Sequence, residues 1–247
     1  MDKLPLGNQI ALVTGAGRRI GRVIALQLAR AGASVIVNYN ASRDDAEATV
    51  KEIRLLGRAS LAVKADVASS RQVERMFQTV RRRFGRLDIL VNNAAIFFRV
   101  PWDKLTGNDW DRILGINLKG AFFCAQQAAL MMMEQKRGRI INISSLGGLQ
   151  AWPGYMHYCS SKAAVIMLTK CLAKALAPHI LVNTIAPGTI LLPGEKPSKG
   201  QKAAVRSTPL GRAGRAEDIA EMVQHLATRA GYITGQVFPV DGGKSIP

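Results

Sequence analysis

Residues 13–21 read VTGAGRRIG and directly follow an apolar run near the N-terminus. Gly15, Gly17 and Gly21 let the backbone turn tightly and approach a phosphate group closely. Their spacing, G-x-G-x-x-x-G, is one residue longer than the common dinucleotide fingerprint. The stretch therefore predicts a strand, a glycine-rich turn and a helix whose first amide groups face a pyrophosphate.

Apolar, β-branched segments alternate with helical patterns from this turn to the end of the chain. Strands that helices cover on both faces have this composition. The alternation predicts an α/β fold: a single Rossmann-like doubly wound parallel sheet of about seven strands with helices on both faces. The predicted strands cover residues 11–15, 33–39, 60–67, 87–95, 139–145, 180–188 and 236–243.

No linker rich in proline and serine and no fixed-period repeat divides the 247 residues. We therefore predict one dinucleotide-binding domain over residues 1–247. One irregular piece, PGTILLPGEKPSKGQ at 187–201, is expected to act as a lid in a substrate loop near 187–208.

The formal net charge of +17 favours anionic partners such as a phosphorylated cofactor, an acidic carrier protein or nucleic acid. The densest cationic run, 81–83, lies late in an amphipathic helical pattern, where cations suit a helix C-terminus. No recognised nucleic-acid-binding module accompanies the charge, so we predict no nucleic-acid partner.

Neither a signal peptide nor a membrane span is expected. The first residues, MDKLPLGNQ, lack a long apolar region, and no apolar run of 18 residues occurs. Cys124, Cys159 and Cys171 form no CxxC pair, which favours free thiols in a reducing compartment. We therefore expect a cytoplasmic protein without a membrane partner or a metal site.

The end of the second predicted strand indicates which dinucleotide is bound. An Asp or Glu that binds the ribose hydroxyls is expected there, about 20 residues past the loop. The sequence instead has NYNASR at 38–43, which includes Asn40, and its first carboxylate is Asp44. With Arg18 nearby, Ser42 and Arg43 favour a ribose 2′-phosphate. The predicted cofactor is NADP(H).

Tyr158 and Lys162, in YCSSK, are four residues apart and share one face of a predicted helix. Reduction of a carbonyl needs a proton donor near the developing alkoxide, and a tyrosine of pKa about 10 is a weak one. A neighbouring ammonium favours the phenolate, and lowering the tyrosine pKa by three units is worth about 4 kcal/mol. Ser145 ends RIINISS, and Asn117 lies in INLKG on the preceding long helix.

With these residues the chain resembles the short-chain dehydrogenase/reductase family over essentially its whole length. The resemblance implies that Tyr158 is the general acid/base and that Lys162 binds the ribose and modulates the tyrosine pKa. It also implies that Ser145 holds the substrate oxygen and that Asn117 anchors a water that relays protons to Lys162. The motifs that carry it are TGAGRRIG, Asp66-Val67, Asn92-Asn93-Ala94-Ala95, Asn117, Ser145, Tyr158-x-x-x-Lys162, Pro187-Gly188-Thr189 and Val240-Asp241-Gly242-Gly243.

The same resemblance places Asp66 and Val67 at the adenine, Asn92 and Ala94 along the cofactor, and Thr189 at the carboxamide. The full set of predicted cofactor contacts is Gly15, Gly17, Arg18, Arg19, Ile20, Gly21, Asn40, Ser42, Arg43, Asp66, Val67, Asn93, Ala94, Tyr158, Lys162, Pro187, Gly188 and Thr189.

Arg19 departs from the family pattern, because most members have glycine there. An arginine resembles the pteridine reductase branch, where it reaches the phosphates and the bound pterin. Phe97, just after the fourth strand, would stack on such a planar ring, or it only packs under the loop. Ser145 argues for a ketone, since pteridine reductases commonly carry an aspartate there. Tyr155 is expected to line the substrate pocket or only to pack.

The leading prediction is a ketoreductase of the 3-oxoacyl-(acyl-carrier-protein) reductase type, with Phe97 and Tyr155 as substrate contacts. Its small-molecule carbonyl substrate is free or linked to a carrier or to coenzyme A. Lys136 and Arg137 are expected near the entrance, where they suit an acidic carrier, or at a helix end that they cap. One alternative is a pteridine or dihydropteridine reductase.

An alternative of another class is a non-catalytic NADP(H)-sensing regulator, against which the complete polar set argues because a sensor needs no proton relay. Related enzymes form tetramers, so we expect a homotetramer. The helices before the fifth and sixth strands carry the small and apolar residues that such a contact needs: Phe122, Phe123, Ala125, Ala128, Ala129, Ala164, Met167, Leu168 and Cys171.

Overall fold

A computed structural model describes residues 4–246 and contains a seven-stranded, fully parallel sheet. The strand order is β3-β2-β1-β4-β5-β6-β7, which confirms the predicted fold class. The strands are β1 (Ile10–Val13), β2 (Ser34–Tyr39), β3 (Ser60–Lys64), β4 (Ile89–Asn92), β5 (Gly138–Ile143), β6 (Ile180–Pro187) and β7 (Val237–Val240).

Helices cover both faces of this sheet. The helices are α1 (Arg19–Arg30), α2 (Arg43–Leu55), α3 (Ser70–Phe84), α4 (Gly107–Leu114), α5 (Gly120–Glu134), α6 (Met156–Leu176), α7 (Lys199–Arg206) and α8 (Ala216–Thr228). Side chains of α1, α2 and α8 share one buried cluster with the sheet, and those of α3, α5 and α6 share the other.

Alternate residues of each central strand enter opposite clusters. In β1, Ala11 and Val13 face the α1 side, whereas Ile10 and Leu12 face the α3 side. These side chains are at most 9% exposed, so each strand is apolar along its length. Burial from both faces, about 25 cal/mol for each Å² of apolar surface, stabilises the sheet on which the loops are mounted.

The strand order reverses between β1 and β4. The chain proceeds outward from β1 to β3, then crosses back and proceeds outward from β4 to β7. Such a reversal leaves a crevice at the carboxyl ends of the strands, and ligands of doubly wound folds bind there.

Every predicted strand is present, although most are shorter than predicted at the carboxyl end. The fourth, for example, was expected over 87–95 but covers Ile89–Asn92. Ala94 and Ala95 are apolar, yet together with Asn93 they leave the hydrogen-bonded ladder and line the crevice instead.

The prediction of an irregular segment through residue 201 is wrong at its end, because α7 begins at Lys199. The Ser198 hydroxyl accepts from the Gln201 amide at 3.2 Å, and the Gln201 side chain accepts from the Ser198 amide at 2.9 Å. This capping box satisfies two amides that a helix start leaves free, at a gain of about 1 kcal/mol. No helix within residues 4–246 has the length and apolar character to cross a membrane.

Candidate active site

A cleft of about 410 Å³ opens at the reversal point, at the carboxyl ends of β1, β2, β3 and β4. Most of the predicted cofactor contacts line it. The predicted residues in its wall are Gly15, Arg18, Arg19, Ile20, Gly21, Asn40, Ser42, Asp66, Val67, Asn93 and Ala94.

Two asparagine side chains form hydrogen bonds with the backbone of the glycine turn. Asn93 donates from its side chain to the carbonyls of Thr14 and Gly15 at 2.9 and 3.2 Å, and the Gly15 amide donates to Asn38 at 3.2 Å. Gly15 has φ +62°, and a Cβ on Gly21 would lie 2.5 Å from the Asn93 amide nitrogen. Both glycines are therefore required by geometry, and Asn38 is a supporting residue that the sequence did not single out.

Gly17 serves packing rather than the cleft. A Cβ there would lie 2.9 Å from the Ser42 hydroxyl and 3.2 Å from the Ala46 amide, so the glycine lets the turn sit against the start of α2. Arg43, a predicted contact, is the first residue of α2 and is exposed but does not line the cleft. The structure thus brings Ser42 to the cleft and leaves Arg43 outside it.

The two arginines of the loop have different surroundings. Arg18 is exposed at the cleft, and no carboxylate within residues 4–246 forms a salt bridge with it. Arg19 pairs with Glu195, which follows β6, and this contact lowers the Glu195 pKa. Arg19 also has φ +56°, a left-handed conformation that glycine adopts without strain.

Among the described residues that line the cleft, Asp66 is the only acid. One of its oxygens accepts from the Ala68 amide at 2.9 Å. Asp44, on the exposed start of α2, does not reach the cleft. The end of β2 therefore presents Asn40 and Ser42 beside Arg18, an arrangement suited to an anion.

Beyond this cleft, α6 and the end of β5 bring three predicted catalytic residues together. Tyr158 and Lys162 both lie on α6, and the Lys162 ammonium is 5.9 Å from the centre of the Tyr158 ring. Ser145, two residues after β5, accepts from the Gly147 amide at 3.1 Å and lies close enough to the Tyr158 phenol to affect its pKa. All three residues are at most 9% exposed.

Burial dominates the titration of this group. It raises the pKa of Tyr158 to about 12, against an opposing effect of the hydrogen bond with Ser145. It lowers the pKa of Lys162 to about 8. Loss of solvation favours the neutral phenol, and the lowering of the tyrosine pKa by Lys162 stays a prediction.

Asn117 lies within the long helical run from α4 to α5, as predicted, but at a π-helical turn, Gly115–Lys119, that the sequence did not reveal. Its side-chain oxygen accepts from the Ile96 amide at 2.9 Å. Its side-chain nitrogen donates to the Ile96 carbonyl at 3.1 Å and to the Ser161 hydroxyl at 3.0 Å. The turn joins α4 to α5, and these bonds hold it against α6, where Ser161 is a contact that sequence reasoning missed.

A second, small cavity of about 10 Å³ lies behind Lys162, near the lower limit for one water molecule. Its polar lining comes from Thr14, Asn92, Asn117 and Lys162. Asn92 was expected along the cofactor, but it is 6% exposed and faces this cavity instead of the cleft.

Aromatic rings surround the Tyr158 ring. Phe97 stacks on Tyr155, with 4.6 Å between ring centres and 6° between planes, and meets Tyr158 edge-on at 4.7 Å. Trp152 lies parallel to Tyr158 at 6.3 Å, and a Cβ on Gly147 would lie 3.0 Å from its ring. Phe97 and Tyr155 were predicted substrate contacts. Trp152 was missed, although its place between Ser145 and Tyr158 in the sequence was a usable signal.

Pro187 ends β6, and Gly188 and Thr189 follow it, on the other side of the site from the dinucleotide cleft. A Cβ on Gly188 would lie 2.8 Å from the Asp241 backbone. Gly188 and Thr189 line a separate cleft of about 270 Å³. None of the three lines the 410 Å³ cleft.

Lys136 and Arg137 directly precede β5. They therefore lie at the amino ends of the strands. The Gly138 amide that follows them donates to the carbonyl of His179, which directly precedes β6 at the same end of the sheet. The expectation that they flank the entrance is wrong for this chain, since the cleft opens at the opposite edge of the sheet.

Known proteins with similar sequences agree with this fold and site. A family model described as "Enoyl-(Acyl carrier protein) reductase" matches residues 15–245. The 3-oxoacyl-[acyl-carrier-protein] reductase of Synechocystis sp. is 42% identical over 96% of this chain and 97% of that protein. The 3-oxoacyl-[acyl-carrier-protein] reductase FabG of Staphylococcus aureus (strain Mu50) is 44% identical, over 94% and 96%.

A solved structure gives the same result. The blue fluorescent protein from a metagenomic library, in complex with NADPH, superposes with a TM-score of 0.92 at 34% identity, over 98% of this chain and 99% of that chain. Similarity of sequence and of fold thus extends over nearly the whole chain. The chain belongs to the short-chain dehydrogenase/reductase family.

Proposed function

We propose that this protein is an NADP(H)-dependent ketoreductase of the 3-oxoacyl-(acyl-carrier-protein) reductase type, with the whole chain as one dinucleotide-binding domain. The observation that carries the proposal is that Ser145, Tyr158 and Lys162 are buried together beside the carboxyl end of β5, with the Lys162 ammonium 5.9 Å from the Tyr158 ring centre. The names of the relatives from Synechocystis and Staphylococcus aureus support the substrate class.

The dinucleotide cleft fits NADP(H). Gly15 and Gly21 let the turn pack closely on Asn93 and Ala94 at the start of α1, where helix amides favour a pyrophosphate. Arg18 and Ser42 line the cleft beside the end of β2, where they suit a ribose 2′-phosphate, and among the described cleft residues the one acid is Asp66, after β3. Asp66 and Val67 would contact the adenine, and Thr189 the carboxamide. The NADPH bound to the metagenomic blue fluorescent protein supports this assignment.

The bound cofactor supplies the hydride, and the side chains orient the carbonyl and move the proton. Ser145 would donate to the carbonyl oxygen, and Tyr158 would give its proton to the alkoxide that develops on the same oxygen. Lys162 would offer its ammonium to the ribose and, once the cofactor adds its own positive charge, favour the phenolate. Asn117 would hold the water that returns a proton to Lys162.

Three finer features belong to the proposal. The carbonyl substrate is linked to an acyl carrier protein or to coenzyme A, and the enzyme acts in the cytoplasm as a homotetramer. The outer faces of α5 and α6 support the tetramer because they expose apolar side chains: Phe122, Leu130, Met133 and Met167. Sedimentation at micromolar concentration should show a tetramer, and a monomer alone would contradict it.

The decisive test is a substrate panel that follows loss of NADPH absorbance. Acetoacetyl thioesters, crotonyl thioesters, simple ketones and dihydropteridines should be offered with NADPH and with NADH. We expect reduction of the acetoacetyl thioester and not of the crotonyl thioester, because Ser145 and Tyr158 would both donate to the oxygen of the carbonyl that is reduced. Reduction of dihydropteridines or enoyl thioesters alone would overturn the ketoreductase assignment.

A further inference from the structure

Asn92 ends β4 beneath the active site and belongs to a buried polar row across the sheet. It is paired in register with Asn142 of β5, which is paired with Thr184 of β6. Asn142 donates to the Thr169 hydroxyl at 2.8 Å, and Thr169 and Thr184 share a bond of 2.5 Å. All these side chains are at most 6% exposed. The row fixes how the Asn92 amide is oriented.

Both N–H groups of the Asn92 amide are used. They donate to the Ala121 carbonyl at 3.1 Å and to the Asn142 side-chain oxygen at 2.9 Å. A carbonyl only accepts, so the atom that faces Ala121 is the nitrogen. Its oxygen, Oδ1, is fully buried, and within residues 4–246 no donor reaches it. A buried acceptor without a donor costs about 1–3 kcal/mol, so a native protein seldom leaves one unexplained.

The other polar groups of the 10 Å³ cavity are already occupied. The Thr14 hydroxyl accepts from the Asn93 and Ala94 amides at 3.0 Å, and the Asn117 side chain is used by Ile96 and Ser161. Lys162 has three N–H groups, of which one donates to the Ile143 carbonyl at 2.8 Å. Among the side chains that line the cavity, Lys162 therefore has unused N–H donors, and Asn92 has an unused acceptor in its side-chain oxygen.

We propose that Asn92 Oδ1 is the buried acceptor that holds the Lys162 ammonium in place, through one water in the small cavity that both residues line. Asn92 is thus a positioning residue, which acts on the reaction only through Lys162. No carboxylate within residues 4–246 forms a salt bridge with Lys162, so amide and carbonyl oxygens must stabilise its charge. The catalytic consequence rests on the function proposed above for Lys162.

Two titratable groups face this site. Lys162 lines the cavity, and Tyr158 lies next to it on α6. Asp66 faces the dinucleotide cleft instead, and Lys119 of the π-helical turn is exposed. A charge placed at Asn92 therefore acts first on Lys162 and then on Tyr158.

A double-mutant cycle for urea unfolding, without cofactor or substrate, tests the contact itself. Asn92→Asp places a carboxylate where Oδ1 lies, and Lys162→Met removes its cation. We expect Asn92→Asp to shift the equilibrium toward the unfolded chain in both backgrounds. The shift should be about tenfold larger with Lys162→Met than in the protein that retains Lys162. Asn142→Asp is the matched control, since Asn142 lies in the same buried row but does not line the cavity. Coupling to Lys162 as large for Asn142→Asp as for Asn92→Asp would overturn the proposal.

The pH dependence of ketone reduction tests the consequence. In the plot of kcat against pH, Asn92→Asp should raise the pKa of the alkaline limb by about one unit, because a facing carboxylate favours the ammonium. Asn92→Ser, which withdraws the acceptor, should move it downward and provides the test if Asn92→Asp does not fold. A purely structural role would lower kcat without moving the limb, and that result would refute the proposal. If no ketone is reduced at all, the proposed function fails while the unfolding cycle still decides this contact.

Discussion

Arg19 forms an ion pair with Glu195, which joins the glycine turn after β1 to the loop after β6, 176 residues later in the chain. The pair is largely exposed, so it contributes little to stability by itself. Its significance is geometric. One arginine connects the wall of the dinucleotide cleft to the proposed substrate loop, while its neighbour Arg18 has no such partner among the described residues.

The left-handed backbone at Arg19 leads to the first prediction. Arg19→Gly and Arg19→Ala both lose the ion pair with Glu195, but only Arg19→Gly removes the strain of φ +56°. We expect Arg19→Ala to be the less stable variant by about 1 kcal/mol in urea unfolding, because a Cβ disfavours this conformation. Equal stability of the two variants would show that the turn relaxes.

Arg18→Ala should weaken NADPH binding about ten- to a hundredfold and leave NADH binding nearly unchanged, because only NADPH carries the 2′-phosphate. A charge-assisted contact of this kind is worth roughly 1.5–3 kcal/mol. Titration of cofactor fluorescence measures both affinities. Arg43→Ala is the matched control and should have a smaller effect, since Arg43 lies outside the cleft. Equal losses for both cofactors would place Arg18 at the pyrophosphate.

Tyr158→Phe should lower turnover by about a hundredfold or more while NADPH binding is retained, because the change removes only the hydroxyl that donates the proton. The ring itself packs against Phe97 and Trp152, and a phenylalanine keeps those contacts. Steady-state rates on an acetoacetyl thioester, with a cofactor titration as control, measure the effect. Turnover like that of the unmodified protein would exclude Tyr158 as the proton donor.

Burial of Lys162 should make stability depend on pH in a definite direction. Its folded pKa of about 8 lies below the unfolded value, so between about pH 8 and 10.5 the unfolded chain holds the extra proton. The contribution of Lys162 to the free energy of unfolding is thus unfavourable below pH 8 and recovers as pH rises, by up to about 3 kcal/mol.

The difference between Lys162→Met and the unmodified protein isolates this effect. We expect Lys162→Met to be the more stable protein near pH 7, with an advantage that shrinks toward pH 10. Above about pH 10 the raised pKa of Tyr158 acts in the opposite direction, because the unfolded tyrosine loses its proton first. Urea unfolding at pH 7, 8, 9 and 10 measures the trend, and a constant difference would refute it.

Phe97 leads to the last prediction. Its ring is 56% exposed and offers one surface to a substrate beside Tyr158. Phe97→Leu should lower kcat/KM for ketones with a planar ring about two- to tenfold more than for acetoacetyl thioesters, the value of one aromatic contact. Phe98→Leu is the control, because Phe98 packs on His157 at 4.6 Å instead. An unchanged ratio would mean that Phe97 only packs.

The sequence alone determined the order of strands and helices, the glycine turn and the shared face of Tyr158 and Lys162. These features follow from local periods of two and 3.6 residues and from the conformations that glycine permits, so short stretches of chain encode them. The absence of an acid at the end of β2 is likewise readable without coordinates, because its distance from the glycine turn is set by one βαβ unit.

Only the tertiary structure decided the surroundings of those residues. The π-helical turn at Asn117, the free oxygen of Asn92 and the burial that sets the pKa of Tyr158 and Lys162 depend on segments distant in the chain. The position of Lys136 at the amino ends of the strands, opposite the cleft, likewise depends on strand pairing. Solvation and hydrogen-bond partners are set by packing between such segments, and no local pattern of residue types encodes that packing.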